Sequence, residues 1–156
     1  MNLNNNQTQL GVRAIIKTND GLIMVEHDEK KHGHILIFPG GGIESGENIF
    51  QATEREVMEE TNVKVKAEKI AYIREILYGN QSGIEFYVLC SVVNGELSLG
   101  YDPELGKNEQ ILKDVRKVGW EEMRGNKWFP EELYDRLESD LKEGFENTIY
   151  LGLKKF

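Results

Sequence analysis

Hydrophobic residues recur at every second position early in the chain: Leu10, Val12, Ala14 and Ile16, a spacing that lines one face of a half-buried strand. Asn19-Asp20-Gly21 then reads as a hairpin turn, because Asp-Gly accepts the positive φ that tight turns require. Residues 22–25 and 35–38 predict two further strands joined by a polar loop at 28–33. Pro39 with Gly40-Gly41-Gly42 ends the second of them abruptly. At residue 48 the period becomes helical. Asn48 is a good N-cap, Gln51 completes a capping box, and Phe50, Thr53, Val57 and Thr61 fall on one stripe, the expected buried face of a helix over 48–61. Asn62 stands where a left-handed C-terminal residue is expected. Two long β segments follow, 63–78 and 84–93, separated by a loop at 79–83. After a loop-rich acidic stretch to about residue 108 come a strand over 110–120 and a last helix over 130–142, opened by Pro130 with Leu133, Leu137 and Leu141 as its apolar row. Strands mixed with two or three helices predict an α+β or layered α/β/α domain.

Composition narrows the class. A chain of 156 residues suits one domain, read as residues 10–156 behind an Asn-rich flexible arm at 1–9. No apolar run approaches the roughly 20 residues of a membrane helix, and the N-terminus lacks a secretory pattern, so a cytoplasmic location is expected. The single cysteine, Cys90, lies in an apolar run and reads as a buried, inert thiol. The formal net charge of −8 excludes nucleic-acid polymers as expected partners, since their binding is driven by phosphate neutralisation. A small phosphorylated ligand meets the same repulsion unless something local and positive reverses it.

The helix at 48–61 holds the candidate chemistry. Glu56, Glu59 and Glu60 project within one sector, because spacings of three and four residues share a helix face. That sector borders the buried stripe. Like charges so placed repel by roughly 0.2–0.5 kcal/mol per pair, and acidic groups in the last turn oppose the helix dipole. A divalent cation converts these penalties into attraction, and carboxylate oxygens favour Mg²⁺ or Mn²⁺ over zinc. The glycine run ahead of the helix lets the backbone approach a ligand or ion closely.

Gly41, five residues, Glu47, seven residues, then Arg55-Glu56-Val57-Met58-Glu59-Glu60-Thr61-Asn62-Val63 resembles the Nudix box of the MutT-type hydrolases. The one departure is Asn62, where glycine is usual. The order of the first strand, Phe38-Pro39-Gly40-Gly41-Gly42 and Trp120-Glu121-Glu122-Met123 is similar too, so the resemblance spans about residues 10–142. It implies an α/β/α sandwich with a mixed sheet and hydrolysis of a nucleoside diphosphate linked to another moiety. By position, Glu56, Glu59, Glu60 and the Gly40 carbonyl would be metal ligands, with Gly41, Glu47 and Arg55 supporting the site and Glu47 paired to Arg55. The water's proton would go to Glu109, with Asp102 and Glu104 as competitors and Glu59 or Glu60, acting through metal-bound water, as the rival assignment. Arg13 and Arg74 are candidates for phosphate oxygens, since guanidinium forks match them. Phe86, Tyr87, Tyr78 and Trp128 are candidate stacking residues, although strand aromatics are more often core. His27, His32 and His34 show no metal spacing and receive no role. Members using ADP-ribose often carry a proline soon after the box; residues 64–102 contain none. The alternatives are a non-catalytic effector-binding module of the same fold, and a diphosphate isomerase, against which the apolar setting of Cys90 argues. Monomer and homodimer are both left open.

Overall fold

A computed structural model describes residues 7–29, 33–101, 103 and 110–156. Its strands are β1 (Gln9–Thr18), β2 (Gly21–Glu29), β3 (Gly33–Ile37), β4 (Val63–Tyr78), β5 (Gln81–Gly95), β6 (Leu112–Val118), β7 (Trp128–Phe129) and β8 (Ile149–Lys155). The helices are α1 (Ile49–Thr61), α2 (Trp120–Gly125) and α3 (Leu137–Glu143), with a 3₁₀ turn at Glu131–Leu133. One mixed sheet runs in the order β7-β3-β2-β1-β5-β4-β8, and β6 adds to β2. The β1–β5, β4–β8 and β3–β7 pairs are parallel and the others antiparallel.

Apolar residues fill both faces of this sheet, which makes the domain a layered α+β sandwich. On one face Val57 of α1 packs with Ala14, Ile16, Val25, Val65 and Val88. On the other, Met123, Leu133 and Leu137 pack with Met24, Phe38 and Tyr72. Strand alternation explains the division: neighbours such as Ile15 and Ile16 point to opposite cores.

Beside the carboxylate helix, β1 and β2 pair only at their turn ends, Lys17 with Leu22 and Thr18 with Gly21. Earlier along β1, its free edge binds the glycine loop instead. The Val12 amide donates to the Gly41 carbonyl at 2.9 Å, Ala14 to Pro39 at 2.7 Å, and Ile43 donates back to Leu10 at 3.0 Å. The sheet therefore splits where the glycine run enters, and that split holds the loop against α1.

Several expectations are corrected. The first strand starts at Gln9, inside the arm expected at 1–9; residues 1–6 of that arm lie outside the described residues. The turn between β4 and β5 shrinks to Gly79-Asn80, where Gly79 takes φ +58°. Phe50 is 37% exposed, so the buried face of α1 is instead Ala52, Thr53, Glu56, Val57, Glu60 and Thr61. The single helix expected at 130–142 breaks in two, a 3₁₀ turn at Glu131–Leu133 and α3 from Leu137, with Arg136 off the helical path at φ −129° between them, while the Tyr134 hydroxyl exchanges hydrogen bonds with the Trp128 backbone. Strand β8 goes unpredicted: its seven residues owe their pairing to β4, distant in sequence.

Candidate active site

Helix α1 begins and ends as its sequence dictates. The Gln51 amide donates to Asn48 Oδ1 at 2.9 Å, and the Asn48 amide donates to Gln51 Oε1 at 3.0 Å. Asn62 closes the helix at φ +57°. Between these caps, Thr53 and Thr61 donate their hydroxyls to carbonyls one turn back, Ile49 and Val57, so the buried face carries no unpaired hydroxyl. Glu56 and Glu60 share that face and are 7% and 4% exposed; Glu59 lies at its edge, half-buried.

The glycine loop is fitted to these carboxylates. A Cβ on Gly41 would fall 2.6–2.7 Å from the Glu56 carboxylate, and one on Gly40, at φ +152°, would strike the Val12 carbonyl at 2.0 Å. The Gly40 amide donates to Glu60 Oε2 at 2.9 Å, and the Gly40 carbonyl accepts from Arg13 Nη1 at 2.9 Å.

Arg55 is the hub. Its Nε and Nη2 grip Glu47 at 2.8 and 3.0 Å as a fork, and Nη2 also donates to the Gly42 carbonyl at 2.9 Å. Its Nη1 donates to Glu56 Oε1 at 2.9 Å and Glu59 Oε2 at 3.1 Å. The hydrogen bonds to Glu47 contribute most to raising the Arg55 pKa, and in return Arg55 holds the Glu47 carboxyl below its usual range. Glu56 behaves oppositely. Burial is the largest influence and, reinforced by Glu60 and Glu59, pushes its pKa up to about 7 in spite of Arg55.

The donor set tests the fit of a cation. Among the described residues no three His, Cys, Asp or Glu side chains converge on one point, since Arg55 bridges Glu56 and Glu59 while Gly40 holds Glu60. Yet the oxygens are carboxylate and carbonyl, the type hard cations prefer, and Glu56, Glu59 and Glu60 share the Arg55 guanidinium and the Gly40 amide as close hydrogen-bond donors. The residues thus fit a divalent cation in chemistry and charge.

Arg13 and Arg74, expected at phosphate, are joined through Glu85. Arg74 opposes Glu85 across β4–β5 and pairs with it at 3.0 Å and with Glu132 at 3.2 Å; Arg13 reaches the other Glu85 oxygen at 3.4 Å. Burial works to raise the Glu85 pKa but is outweighed by Arg13, Arg74 and the Tyr87 hydroxyl, so it stays low. Arg74 Nε is buried with no partner. Arg13 and Glu85 border two cavities. One, about 920 Å³, runs past Gly41 and Gly42; the other, about 210 Å³, has Ile37, Tyr78, Phe129 and Phe156 among its walls and Arg74 on its charged side.

Of the stacking candidates, Tyr78 and Tyr87 line the smaller cavity, whereas Trp128 and Phe86 pack into the cores. Phe129 and Phe156 were missed, having no motif or periodicity to mark them. His27, given no role from sequence, is 8% exposed, with Nε2 unpartnered and 3.8 Å from Glu60 Oε1. Its signal was inward alternation from Ile23 and Val25, visible once β2 extends to Glu29. Burial is the main cause pushing the Cys90 thiol up to about 12, leaving an unreactive group. Glu109, Asp102 and Glu104 lie outside the described residues.

Comparison with known proteins bears on the fold and the family. A NUDIX hydrolase structure from Nitrosomonas europaea superposes with TM-score 0.74 at 16% identity, covering 96% of this chain and 81% of that one. A structure described as an ADP-ribose pyrophosphatase from Streptococcus suis gives 0.68 at 14% identity, covering 92% and 99%. A MutT protein from Methanosarcina mazei Go1 gives 0.68 at 19%, covering 89% and 96%. At these identities the likeness establishes the fold. No curated protein matches the sequence. The NUDIX domain profile matches residues 7–147, so the chain is a member of the NUDIX hydrolase family.

Proposed function

We propose that this chain hydrolyses a diphosphate linkage in a nucleotide-type substrate, using Mg²⁺ or Mn²⁺ held by Glu56, Glu59, Glu60 and the Gly40 carbonyl. The observation that carries this reading is the pair of buried carboxylates, Glu56 and Glu60, on α1 against the glycine loop with half-buried Glu59 beside them, and the Glu56 pKa raised to about 7. Bound, the cation neutralises phosphate charge and lowers the pKa of water. The chain's own residues do the rest. The fork from Arg55 to Glu47 and the Gly42 carbonyl ties the glycine loop to α1. Gly41 leaves room that any side chain would take from Glu56. Arg13, between the two cavities, is suited to a phosphate oxygen, while Arg74, committed to Glu85 and Glu132, faces the smaller cavity from its wall. Tyr78 and Phe129 offer faces for a base. Glu109 takes the water's proton.

The test is a panel of nucleoside triphosphates, nucleotide sugars and dinucleoside polyphosphates, with products analysed from labelled water. Activity is expected to vanish in chelator and return with Mg²⁺ or Mn²⁺; turnover persisting in chelator contradicts the reading. Glu109→Ala is expected to lower kcat with KM little changed, and unchanged kinetics would move the proton acceptor elsewhere.

A further inference from the structure

The last turn of α1 carries two acidic side chains and no basic one, at the negative end of the helix dipole. Something else must compensate it. The terminal carbonyls of a helix have no partners within the helix, and three here are met by one segment. The Ser98 amide donates to the Thr61 carbonyl at 3.1 Å, Gly100 to Glu60 at 2.8 Å, and Tyr101 to Glu59 at 2.9 Å. The approach is so close that a Cβ on Gly100 would lie 1.8 Å from the Glu59 carbonyl oxygen. Asn62, standing where the family pattern has glycine, reaches the same segment: its Nδ2 lies 3.1 Å from Ser98 Oγ and 3.3 and 3.4 Å from the carbonyls of Ser98 and Leu99. A glycine has no side chain with which to make these bonds.

We propose that Asn62 and the backbone of residues 98–101 form a clamp that positions Glu59 and Glu60, holding each by its own carbonyl so that their side chains keep a fixed aim. The inference rests on the reading of these glutamates as cation ligands. Neither Asn62 nor Gly100 touches substrate or ion; both are positioning residues, acting through the helix end. The amides at that end also supply the positive partial charge that tolerates two carboxylates in the last turn.

Three variants test the clamp. Asn62→Gly keeps the left-handed φ at no steric cost and removes the side-chain bonds. Asn62→Asp keeps the shape and removes the donor. Gly100→Ala drives the segment off the helix. Mn²⁺ affinity without substrate is read by electron paramagnetic resonance, and amide hydrogen exchange at Ser98, Gly100 and Tyr101 is read in chelator. Both Asn62 variants are expected to exchange faster at these amides and to bind Mn²⁺ about tenfold more weakly, the scale of losing an outer-shell partner. Asn62→Gly should nevertheless melt close to wild type in chelator, and a purely structural cap would reverse that pattern. Wild-type Mn²⁺ affinity in Asn62→Gly overturns the clamp, whether or not Gly100→Ala folds. Absence of Mn²⁺ uptake by the wild-type protein instead overturns the cation reading, and the clamp's role with it.

Discussion

At the scale of single residues, Glu56 is a proposed cation ligand enclosed beside the glycine loop. It is buried, packed against the position where Gly41 lacks a side chain, and shares one guanidinium with Glu59. Its pKa of about 7 is set first by burial, and the sign of the consequence follows from linkage. The folded protein holds this proton more tightly than the unfolded chain does. Its stabilising contribution is therefore complete below the unfolded value near 4.5 and is lost as pH rises through 7. Glu56→Gln removes the titration. In chelator at pH 8, Glu56→Gln is expected to melt above the wild-type protein, with the gap closing as pH falls from 7 to 5. A gap independent of pH would show that Glu56 is not held uncharged. That Glu56, Glu59 and Glu60 share one side of α1 was legible in sequence because helix periodicity fixes the sector. The guanidinium bridge was not, since it depends on how Arg55 turns after gripping Glu47.

At the scale of elements, the parts governed by local chemistry matched their sequence signals. The caps of α1 sit at Asn48 and Asn62, and β4 runs over Val63–Tyr78, the span expected of the first long β segment. Elements governed by distant partners did not. β7 and β8 are recruited by β3 and β4, and the C-terminal helix breaks although Leu133 and Leu137 both bury fully. The hydrophobic row survived while the backbone between its members left the helical path at Arg136. Contact between the glycine loop and α1 is likewise tertiary, yet sequence gave its type through the run of small residues. Gly41→Ala tests that contact. Its added methyl meets the Glu56 carboxylate at 2.6 Å, so a loss of about 1–3 kcal/mol in urea unfolding is expected. An unchanged midpoint would mean that the loop can retreat from the helix.

At the scale of the whole molecule, the sheet's split between β1 and β2 does the organising. It seats the glycine loop on β1, aims that loop at α1, and leaves Arg13 and Glu85 between two cavities. The smaller cavity was not legible in sequence, because its walls come from separated stretches at Ile37, Tyr78, Phe129 and Phe156. Among the described residues no helix is long and apolar enough to cross a membrane. With a net charge of −8, the protein needs a local positive field to hold a polyanionic substrate. Direct Mn²⁺ titration of the wild-type protein beside the combined Glu56→Gln, Glu59→Gln and Glu60→Gln variant tests that requirement most closely, with thermal melting run in parallel. Saturable uptake and a higher melting temperature are expected for the wild-type protein, about 2.7 kcal/mol of added stability at one hundred times the dissociation constant, and neither for the variant. Equal uptake by both proteins would contradict the account.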